Sequence, residues 1–252
     1  MSKSGDLAGK VVVVTGAAQG IGEHYARRFA IDGAAVALAD INEDKVRAVA
    51  ERIEADGGHA LALKVDVADE ASTLAMAAAV LERFGGIDHL VNNAGIHHGL
   101  RTEPILTVDF AYYRHVMAVN LDGALLCTRA CHTHLAERRG TVVNHSSTAS
   151  WLSGGYYSLS KAAINSLTAC LAAELGPMGV RVNAIAPGVT DTEATRSMVS
   201  ERGIQRMVDI LPLKRMGSTE DMYRVCKFLL SEEADWITGQ VLAVDGGRVV
   251  RL

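Results

Sequence analysis

Short runs of β-branched and other apolar residues alternate along the chain with stretches in which apolar residues recur at helical spacing. The run Lys10–Thr15, with four consecutive valines, predicts a strand that is buried on both faces. The stretch Ile21–Asp32 predicts an amphipathic helix, and Gly33 follows it, where helices commonly end. The same pattern predicts strands at Ala35–Asp40, Leu61–Val65, His89–Asn92, Thr141–Asn144, Val180–Ala186 and Val241–Val244, and helices at Asn42–Asp56, Asp69–Phe84, Tyr112–Arg138, Ser158–Leu175 and Thr219–Leu230.

This alternation predicts an α/β fold with a doubly wound parallel sheet and helices on both faces, because parallel neighbours need crossover connections. Ligands of such sheets bind at the carboxyl ends of the strands, near the point where the strand order reverses. The chain contains no linker, low-complexity tract or internal repeat. We therefore expect one Rossmann-like domain over residues 1–252, in which an irregular, partly helical segment at about 190–215 forms an apolar lid over the substrate.

The composition indicates an ordinary globular protein but no particular function. The 252 residues are 49% hydrophobic and 21% charged, with a formal net charge of −4, as in an ordinary globular domain. No run of Lys or Arg suggests a nucleic-acid partner, and apolar runs such as Val11–Val14 are too short to cross a membrane. The first residues, MSKSGD, lack the apolar segment of a secretory signal, so a cytoplasmic location is expected.

The four cysteines include a helical pair, Cys127 and Cys131, with His132 and His134 close by. A metal site is conceivable there, but the spacing matches no closed zinc pattern. We expect the two cysteines to be small buried residues on an amphipathic helix, and we expect no metal.

A glycine-rich loop, TGAAQGIG, lies between the first predicted strand and the first predicted helix. Gly16, Gly20 and Gly22 would let the backbone turn tightly and approach a pyrophosphate, and the helix start would offer it free N–H groups. The spacing G-x-x-x-G-x-G differs from the commoner G-x-G-x-x-G, but strand, loop and helix come in the order that a dinucleotide site requires.

Asp40 ends the second predicted strand. A carboxylate there can accept hydrogen bonds from both hydroxyls of an adenosine ribose and would repel a 2′-phosphate by roughly 4 kcal/mol at about 4 Å and an effective dielectric near 20. Positions 19 and 41 hold Gln and Ile rather than Arg or Lys, so NAD is the expected cofactor. The alternative is that Asp40 is an ordinary strand-end or helix-capping residue.

Tyr157 and Lys161 are spaced i, i+4, so both side chains would lie on one face of a helix. A phenol has a pKa near 10, and an adjacent ammonium together with a positive nicotinamide could lower the pKa of Tyr157 towards 7. Tyr156 is a rival by adjacency, but its i+4 partner is Ser160, which carries no charge.

Several motifs now occur in one order along the chain: TGAAQGIG, Asp40, Asp66-Val67, Asn92-Asn93-Ala94-Gly95, Asn120, Ser146-Ser147, Tyr157 with Lys161, and Pro187-Gly188. From about Gly9 to Gly247 the sequence resembles the short-chain dehydrogenase/reductase family, in the branch with chains of this length. The resemblance implies a hydride transfer between a nicotinamide cofactor and an alcohol or ketone carbon.

The resemblance also implies a role for each catalytic residue. Tyr157 is the general acid/base, and Lys161 lowers its pKa and holds the nicotinamide ribose. Ser147 polarises the substrate oxygen, and Asn120 holds a water molecule that links Lys161 to solvent. The interval of ten residues between Ser147 and Tyr157 is shorter than in many relatives, so Ser146 is kept as the alternative to Ser147.

The remaining motif residues are implied to bind the cofactor. Taken alone, Asn120 would be a helix-surface or capping residue, Ser147 a turn hydroxyl, and Asp66 and the asparagine pair turn residues. The implied cofactor-binding residues are Gly16, Gln19, Gly20, Ile21, Gly22, Asp40, Ile41, Asp66, Val67, Asn93, Ala94, Gly95, Tyr157, Lys161, Pro187, Gly188, Val189 and Thr192.

The substrate is open at this level. His97, His98 and His145 are expected to be pocket-lining or surface residues, and Trp151, Leu152 and Met198 to form an apolar wall, which favours a neutral secondary alcohol. The alternatives are a 3-oxoacyl-(acyl-carrier-protein)-type reductase and, in a different class, a non-catalytic NAD-binding regulator. The family resemblance further implies a homotetramer, with alanine-rich helices between the subunits.

Overall fold

The valine run near the start of the chain forms the central strand of a parallel sheet. A computed structural model describes residues 7–97, 99–101 and 103–250; Met1–Asp6 and His98, considered above, lie outside the described residues. Over the described residues the sheet has seven strands: β1 (Val11–Thr15), β2 (Ala35–Asp40), β3 (His59–Lys64), β4 (His89–Asn92), β5 (Thr141–His145), β6 (Arg181–Pro187) and β7 (Val241–Val244).

The strands lie in the order β3-β2-β1-β4-β5-β6-β7, and all neighbours are parallel. The order reverses between β1 and β4, so the loops that follow these two strands meet at the edge where α/β sheets bind ligands. The helices are α1 (Gly20–Ile31), α2 (Glu43–Ala55), α3 (Glu70–Phe84), α4 (Phe110–Met117), α5 (Gly123–Glu137), α6 (Gly155–Leu175), α7 (Glu193–Met198), α8 (Glu201–Asp209) and α9 (Thr219–Leu230).

Two apolar layers hold the helices against the sheet. Side chains alternate along β1, so Val12 and Val14 face one layer while Val11 and Val13 face the other. The first layer contains buried residues of α1, α2 and α9, and the second contains buried residues of α3, α5 and α6. Burial on both faces confirms the predicted doubly wound α/β sheet.

The predicted helix Tyr112–Arg138 is interrupted. It begins at Phe110 and ends at Glu137, and between α4 and α5 it contains a π-helical segment, Ala118–Asp122. Such segments are rare and occur mostly as short insertions at functional sites, which side-chain periodicity does not reveal. The predicted helix at Ser158 starts earlier, at Gly155, so Tyr157 lies within the first turn of α6.

The cysteine pair on α5 behaves as the sequence predicts. Cys127 and Cys131 are free and buried in the second apolar layer, where burial raises the pKa of Cys131 to about 12. Over residues 7–97, 99–101 and 103–250, no group of three or more His, Cys, Asp or Glu side chains is arranged to hold a metal ion. Within the same ranges, every helix is too short or too polar to span a bilayer.

His145 is neither pocket lining nor surface, so that expectation is wrong. Its ring is buried, and Nε2 lies 2.7 Å from the hydroxyl of Tyr25, which is fully buried on α1. The pair joins the end of β5 to the helix that follows the glycine loop. Burial, followed by the charge of Lys161, lowers the pKa of His145 to about 3, and burial lowers the pKa of His89 to about 4.

These two histidines predict an acid-sensitive stability. Each is neutral in the fold but gains a proton in the unfolded chain as the pH falls through its ordinary pKa of 6.5, so stability is full above that pH and is lost below it. We expect a loss of about 1.4 kcal/mol per pH unit for each histidine between pH 6.5 and about 4. Urea unfolding at several pH values measures how the free energy of unfolding changes with pH. His145→Phe should make this pH dependence shallower than in the native protein, whereas His59→Gln, at an exposed strand end, should leave it unchanged. The same pH dependence in all three proteins would contradict this account.

Candidate functional site

The glycine loop is forced against the end of β4. A Cβ on Gly22 would lie 2.0 Å from the carbonyl oxygen of Gly16, and a Cβ on Gly16 would lie 2.8 Å from Cα of Ala94. Gly16 also has a positive φ of 66°, which disfavours other residues. Asn93 Nδ2 donates to the carbonyl oxygens of Thr15 and Gly16, at 3.0 Å each. The loop is therefore fixed by backbone contacts that only glycine permits, and Asn93 has a structural role there.

The start of α1 is open towards the ligand edge. The helix begins at Gly20, whose φ is +61° and above which a Cβ would meet no atom within 4 Å. Gln19 precedes the helix but makes no side-chain cap, because its Oε1 accepts from Lys45 Nζ at 3.0 Å instead. The first backbone N–H groups of a helix have no intrahelical acceptor, so the start of α1 is suited to bind a phosphate group.

Asp40 ties the end of β2 to the glycine loop. Its Oδ2 accepts from Ala18 N at 3.0 Å, and its Oδ1 accepts from Asn42 N at 2.9 Å. Asp40 thus has the strand-end role that the sequence left open, whereas the N-cap of α2 is Asn42, and Asp40 remains half-exposed. Ile41 beside it is 62% exposed, an apolar side chain open to solvent. Sequence reasoning overlooked Lys45, because it lies one helical turn beyond the two positions considered.

The segment after β3 reaches the same edge. Val65 N donates to Asp40 O at 2.8 Å, which holds the chain beside the end of β2. Asp66 is the next residue and therefore lies at the same edge. The Oδ1 of Asp66 accepts from Ala68 N at 2.9 Å, which is the turn role that the sequence left open. Val67 packs on Gly123, where a Cβ would lie 2.7 Å from Val67 Cγ2.

The catalytic candidates meet around Gly95. A Cβ on Gly95 would lie 3.4 Å from Lys161 Nζ and 3.3 Å from Asn120 Oδ1. Lys161 Nζ donates to the carbonyl oxygen of His145 at 2.9 Å and lies 5.8 Å from the centroid of the Tyr157 ring. The ends of β4 and β5, the π-helical segment and α6 thus bring these residues together.

Asn120 is buried, not a helix-surface residue. Its Oδ1 accepts from Ile96 N at 2.6 Å, and its Nδ2 donates to Ile96 O at 3.3 Å and to Ser160 Oγ at 3.2 Å. The π-helical segment aims this amide at the loop after β4, so Asn120 holds that loop against α6.

The two adjacent serines point in different directions. Ser146 Oγ donates to the carbonyl oxygen of Lys161 and to Oδ1 of Asn165, so its side chain is used within α6. Ser147 Oγ accepts from Ala149 N at 3.1 Å and lies near enough to the Tyr157 phenol to lower the pKa of that group. This geometry favours Ser147 over Ser146 as the partner of the tyrosine.

Burial governs the ionisation of the Tyr157–Lys161 pair. It raises the pKa of Tyr157 to about 12, against the lowering effect of the Ser147 hydrogen bond. It lowers the pKa of Lys161 to about 8. The Lys161 ammonium donates to the His145 carbonyl, and the joint lowering of the tyrosine pKa by this ammonium and a bound nicotinamide stays a prediction.

The loop after β6 lies at the same carboxyl edge of the sheet, next to the end of β5. Gly188 has no room for a side chain, since a Cβ would lie 2.7 Å from Cα of Asp245, and Thr148 Oγ1 donates to Pro187 O at 3.3 Å. Val189 follows, half-buried. Thr192 lies further on, where its side chain caps α7 by accepting from Thr195 N at 3.1 Å. No contact joins Thr192 to the cluster around Gly95 within the described part of the chain.

Comparison with known proteins gives this arrangement a family. A family model described as enoyl-(acyl carrier protein) reductase matches residues 16–248. The chain belongs to the short-chain dehydrogenase/reductase family. It is an oxidoreductase of a family whose members bind a nicotinamide cofactor, NAD or NADP.

Individual family members match over nearly the whole chain. An uncharacterized oxidoreductase of Mycobacterium tuberculosis is 53% identical, over 96% of this chain and 98% of that protein. The (2S)-[(R)-hydroxy(phenyl)methyl]succinyl-CoA dehydrogenase subunit BbsD of Thauera aromatica is 37% identical, over 96% and 97%. Among solved structures, a 7α-hydroxysteroid dehydrogenase complexed with NADH and 7-oxo glycochenodeoxycholic acid matches with a TM-score of 0.91 and 33% identity, over 100% of both chains.

Sequence reasoning missed one part of this short-chain dehydrogenase/reductase site. A cavity of about 320 Å³ borders Tyr157, and its wall also includes Leu100, Arg101, Glu103, Pro104 and the segment 153–156. The expected wall residues are elsewhere: Trp151 is half-buried in a short 3₁₀ turn, and Leu152 and Met198 are 43% and 42% exposed. The loop after β4 was the available signal, because it follows a strand end at the ligand edge.

The packing of the glycine loop predicts a sharp response to one methyl group. In Gly22→Ala the added Cβ must displace the Gly16 backbone, so we expect at least a tenfold weaker binding of NADH together with a lower Tm. NADH fluorescence titration and thermal unfolding measure the two effects. The control is Gly176→Ala, at the end of α6, where φ is −54° and a Cβ meets nothing within 4 Å; a loss of NADH binding there, or none in Gly22→Ala, would contradict the prediction.

Proposed function

We propose that this protein is an NAD-dependent short-chain alcohol dehydrogenase or ketone reductase, which interconverts a secondary alcohol and a ketone. The observation that carries the proposal is the meeting of Tyr157, Ser147 and Lys161 beside Gly95 at the ligand edge of the sheet. In support, a structural neighbour at 33% identity was solved with NADH and a 7-oxo compound. The comparisons give no support to a non-catalytic regulator.

The cofactor would be held along the carboxyl ends of five strands, β1, β2, β3, β4 and β6. The glycine loop and the start of α1 would take the pyrophosphate, and Asp40 with Ile41 the adenosine ribose. Asp66 and Val67 would border the adenine. The nicotinamide end would lie by Asn93–Gly95, Lys161, Tyr157, and the residues Pro187, Gly188, Val189 and Thr192. When bound, the oxidised nicotinamide ring supplies a hydride acceptor and a positive charge.

The chain's own residues then move the proton. In the reducing direction the Tyr157 phenol, protonated across the physiological range because its pKa is raised to about 12, donates to the oxygen of the ketone. In the oxidising direction the phenolate accepts the proton of the alcohol. Ser147, which lies near the Tyr157 phenol, would donate to the same substrate oxygen and hold it in place.

Lys161 and Asn120 would return the proton to solvent. Burial brings the pKa of Lys161 down to about 8, a value at which an amine can give up and regain a proton near neutral pH. The amide of Asn120 lies across Gly95 from the amine and is fixed by Ile96, so it is placed to orient a water molecule between them.

The segment 190–215 would be the substrate lid. It contains α7 and α8, and its apolar side chains Met198, Met207, Ile210 and Leu213 are 41% to 64% exposed. A segment that covered an apolar substrate would bury these side chains. A 3-oxoacyl-(acyl-carrier-protein)-type reductase would use the same proton chemistry, so the substrate and the choice between NAD and NADP separate that alternative from the proposal.

Tyr157→Phe tests the proton step. Loss of the hydroxyl removes the acid/base while the ring remains, so we expect kcat to fall by about 100-fold or more with NADH binding preserved. The matched control is Tyr156→Phe, since the Tyr156 hydroxyl donates to the carbonyl oxygen of Arg101 instead, and its kcat should be retained. Alcohol-dependent NADH formation and NADH titration measure both; equal losses of kcat would refute the assignment.

Asp40→Asn tests the choice of cofactor. The amide keeps an acceptor for the Ala18 N–H but loses the charge, so the ratio of kcat/KM for NAD over NADP should fall about tenfold or more. Lys45→Ala should act in the opposite direction, because it removes a cation near the site of a 2′-phosphate. A native enzyme that uses NADP better than NAD at equal low concentrations would overturn the proposal.

The proposed homotetramer has a candidate face on α6. Ala169 and Ala173 lie one turn apart and are exposed, while Ala162 and Ala163 are half-buried and Ala172 is buried. We expect light scattering to give a tetramer for the native chain and a smaller species for Ala169→Arg. Glu51→Arg, on the exposed side of α2, is the control, and a native monomer at micromolar concentration would contradict the expectation.

A further inference from the structure

We propose that Arg101 binds an anionic group of the substrate, a carboxylate or a phosphate, so that the alcohol oxidised here carries a negative charge beside its carbinol carbon chain. This inference rests on the proposed alcohol dehydrogenase function and adds the substrate class to it. It replaces the expectation of a neutral substrate, which took account of the segments 148–155 and 190–215 and left the loop after β4 aside.

Three contacts hold Arg101 in place. Its carbonyl oxygen accepts from the hydroxyl of Tyr156, and its backbone N–H donates to the hydroxyl of Tyr112 at 3.3 Å. Its guanidinium carbon lies 4.4 Å from the centroid of the Tyr112 ring. The two tyrosine rings meet edge to face, with centroids 6.0 Å apart. An exposed loop residue is thereby oriented by two aromatic side chains from α4 and α6.

The guanidinium of Arg101 is a planar group of hydrogen-bond donors. It lies over the Tyr112 ring, and its paired N–H groups match both oxygens of a carboxylate or phosphate. The Arg101 side chain is exposed, so water does not have to be expelled from a closed site before an anion binds. Orientation before binding lowers the entropy that the contact costs.

Arg101 and Tyr157 border the same cavity. The cavity of about 320 Å³ is lined by both residues, and Tyr156, which holds Arg101, is next to Tyr157 in the first turn of α6. A substrate whose hydroxyl lies at Tyr157 therefore shares a cavity with Arg101.

Glu103 provides an internal counter-test, because it lines the same cavity with the opposite charge. For an anionic substrate, Arg101 attracts and Glu103 repels, so removing each charge should change KM in opposite directions. A cationic or zwitterionic substrate would reverse or abolish this relation.

The experiment compares secondary hydroxy acids of increasing chain length with their neutral methyl esters and with hydroxyalkyl phosphates. Each is oxidised with NAD by wild type, Arg101→Ala, Arg101→Lys and Glu103→Gln. In wild type we expect kcat/KM for at least one anionic series to exceed that for the ester by about tenfold or more, and the preferred series separates carboxylate from phosphate. Arg101→Ala should remove this preference through KM, with ester kcat/KM changed by less than about twofold.

The other variants sharpen the result. Arg101→Lys should restore part of the anion preference, since it keeps the charge but not the planar pair of donors, and Glu103→Gln should lower KM for the anion. The matched control is Arg83→Ala: Arg83 also lies over an aromatic ring, 5.3 Å from the centroid of Phe84, but on α3 at the opposite edge of the sheet. It should change neither substrate class.

Binding without turnover separates the two proposals. Carboxylates and phosphates that lack the hydroxyl are titrated calorimetrically into the NADH-bound protein, with Arg101→Ala beside wild type. Binding to wild type that Arg101→Ala weakens, without oxidation of any alcohol in the panel, would sink the proposed function and keep the anion site. Oxidation of esters at least as well as of both anions, or an equal effect of Arg101→Ala on both classes, would overturn the anion site and leave the proposed function standing.

Discussion

The site depends on one close approach, that of the glycine loop to the end of β4. Two backbone segments meet there with no space for a Cβ on Gly16 or Gly22, and the Asn93 amide joins them by hydrogen bonds to two carbonyl oxygens. Since β1 and β4 flank the reversal of strand order, this contact sets where α1 starts and where the loop after β4 departs. The first places the N–H groups of the helix, and the second places Gly95.

Around Gly95, buried polar side chains fix the backbone by hydrogen bonds, whereas at the glycine loop close backbone contacts fix it. Asn120 holds the backbone of Ile96 from both sides, and Lys161 donates to the end of β5. Each of these bonds satisfies a buried polar group that would otherwise cost about 1–3 kcal/mol. The π-helical segment is the local irregularity that lets one helix aim Asn120 inward. Structural and catalytic demands on these residues therefore coincide.

Sequence periodicity was sufficient for the strands and layers because burial imposes it directly. Val11–Val14 predict a strand buried on both faces, and β2, β4 and β7 have the predicted bounds. Where a side chain's partner lies far along the chain, periodicity carries no signal. Three contacts are of that kind: the hydrogen bond of Ser146 to α6, the hydrogen bond of His145 to Tyr25, and the packing of Arg101 against two tyrosines.

Burial also sets the ionisation of the two groups at the centre of the site. It shifts Tyr157 and Lys161 towards their uncharged forms, raising one pKa to about 12 and lowering the other to about 8. A pair held in this way responds strongly to any charge brought near it, because the low-dielectric surroundings screen that charge little. Asp40, which is half-buried, and Arg101, which is exposed, lie outside this central pair. Asp40 and Arg101 would thus select the cofactor and the substrate by their charge. The ionisation of the central Tyr157–Lys161 pair would depend on the charges of the molecules bound beside it.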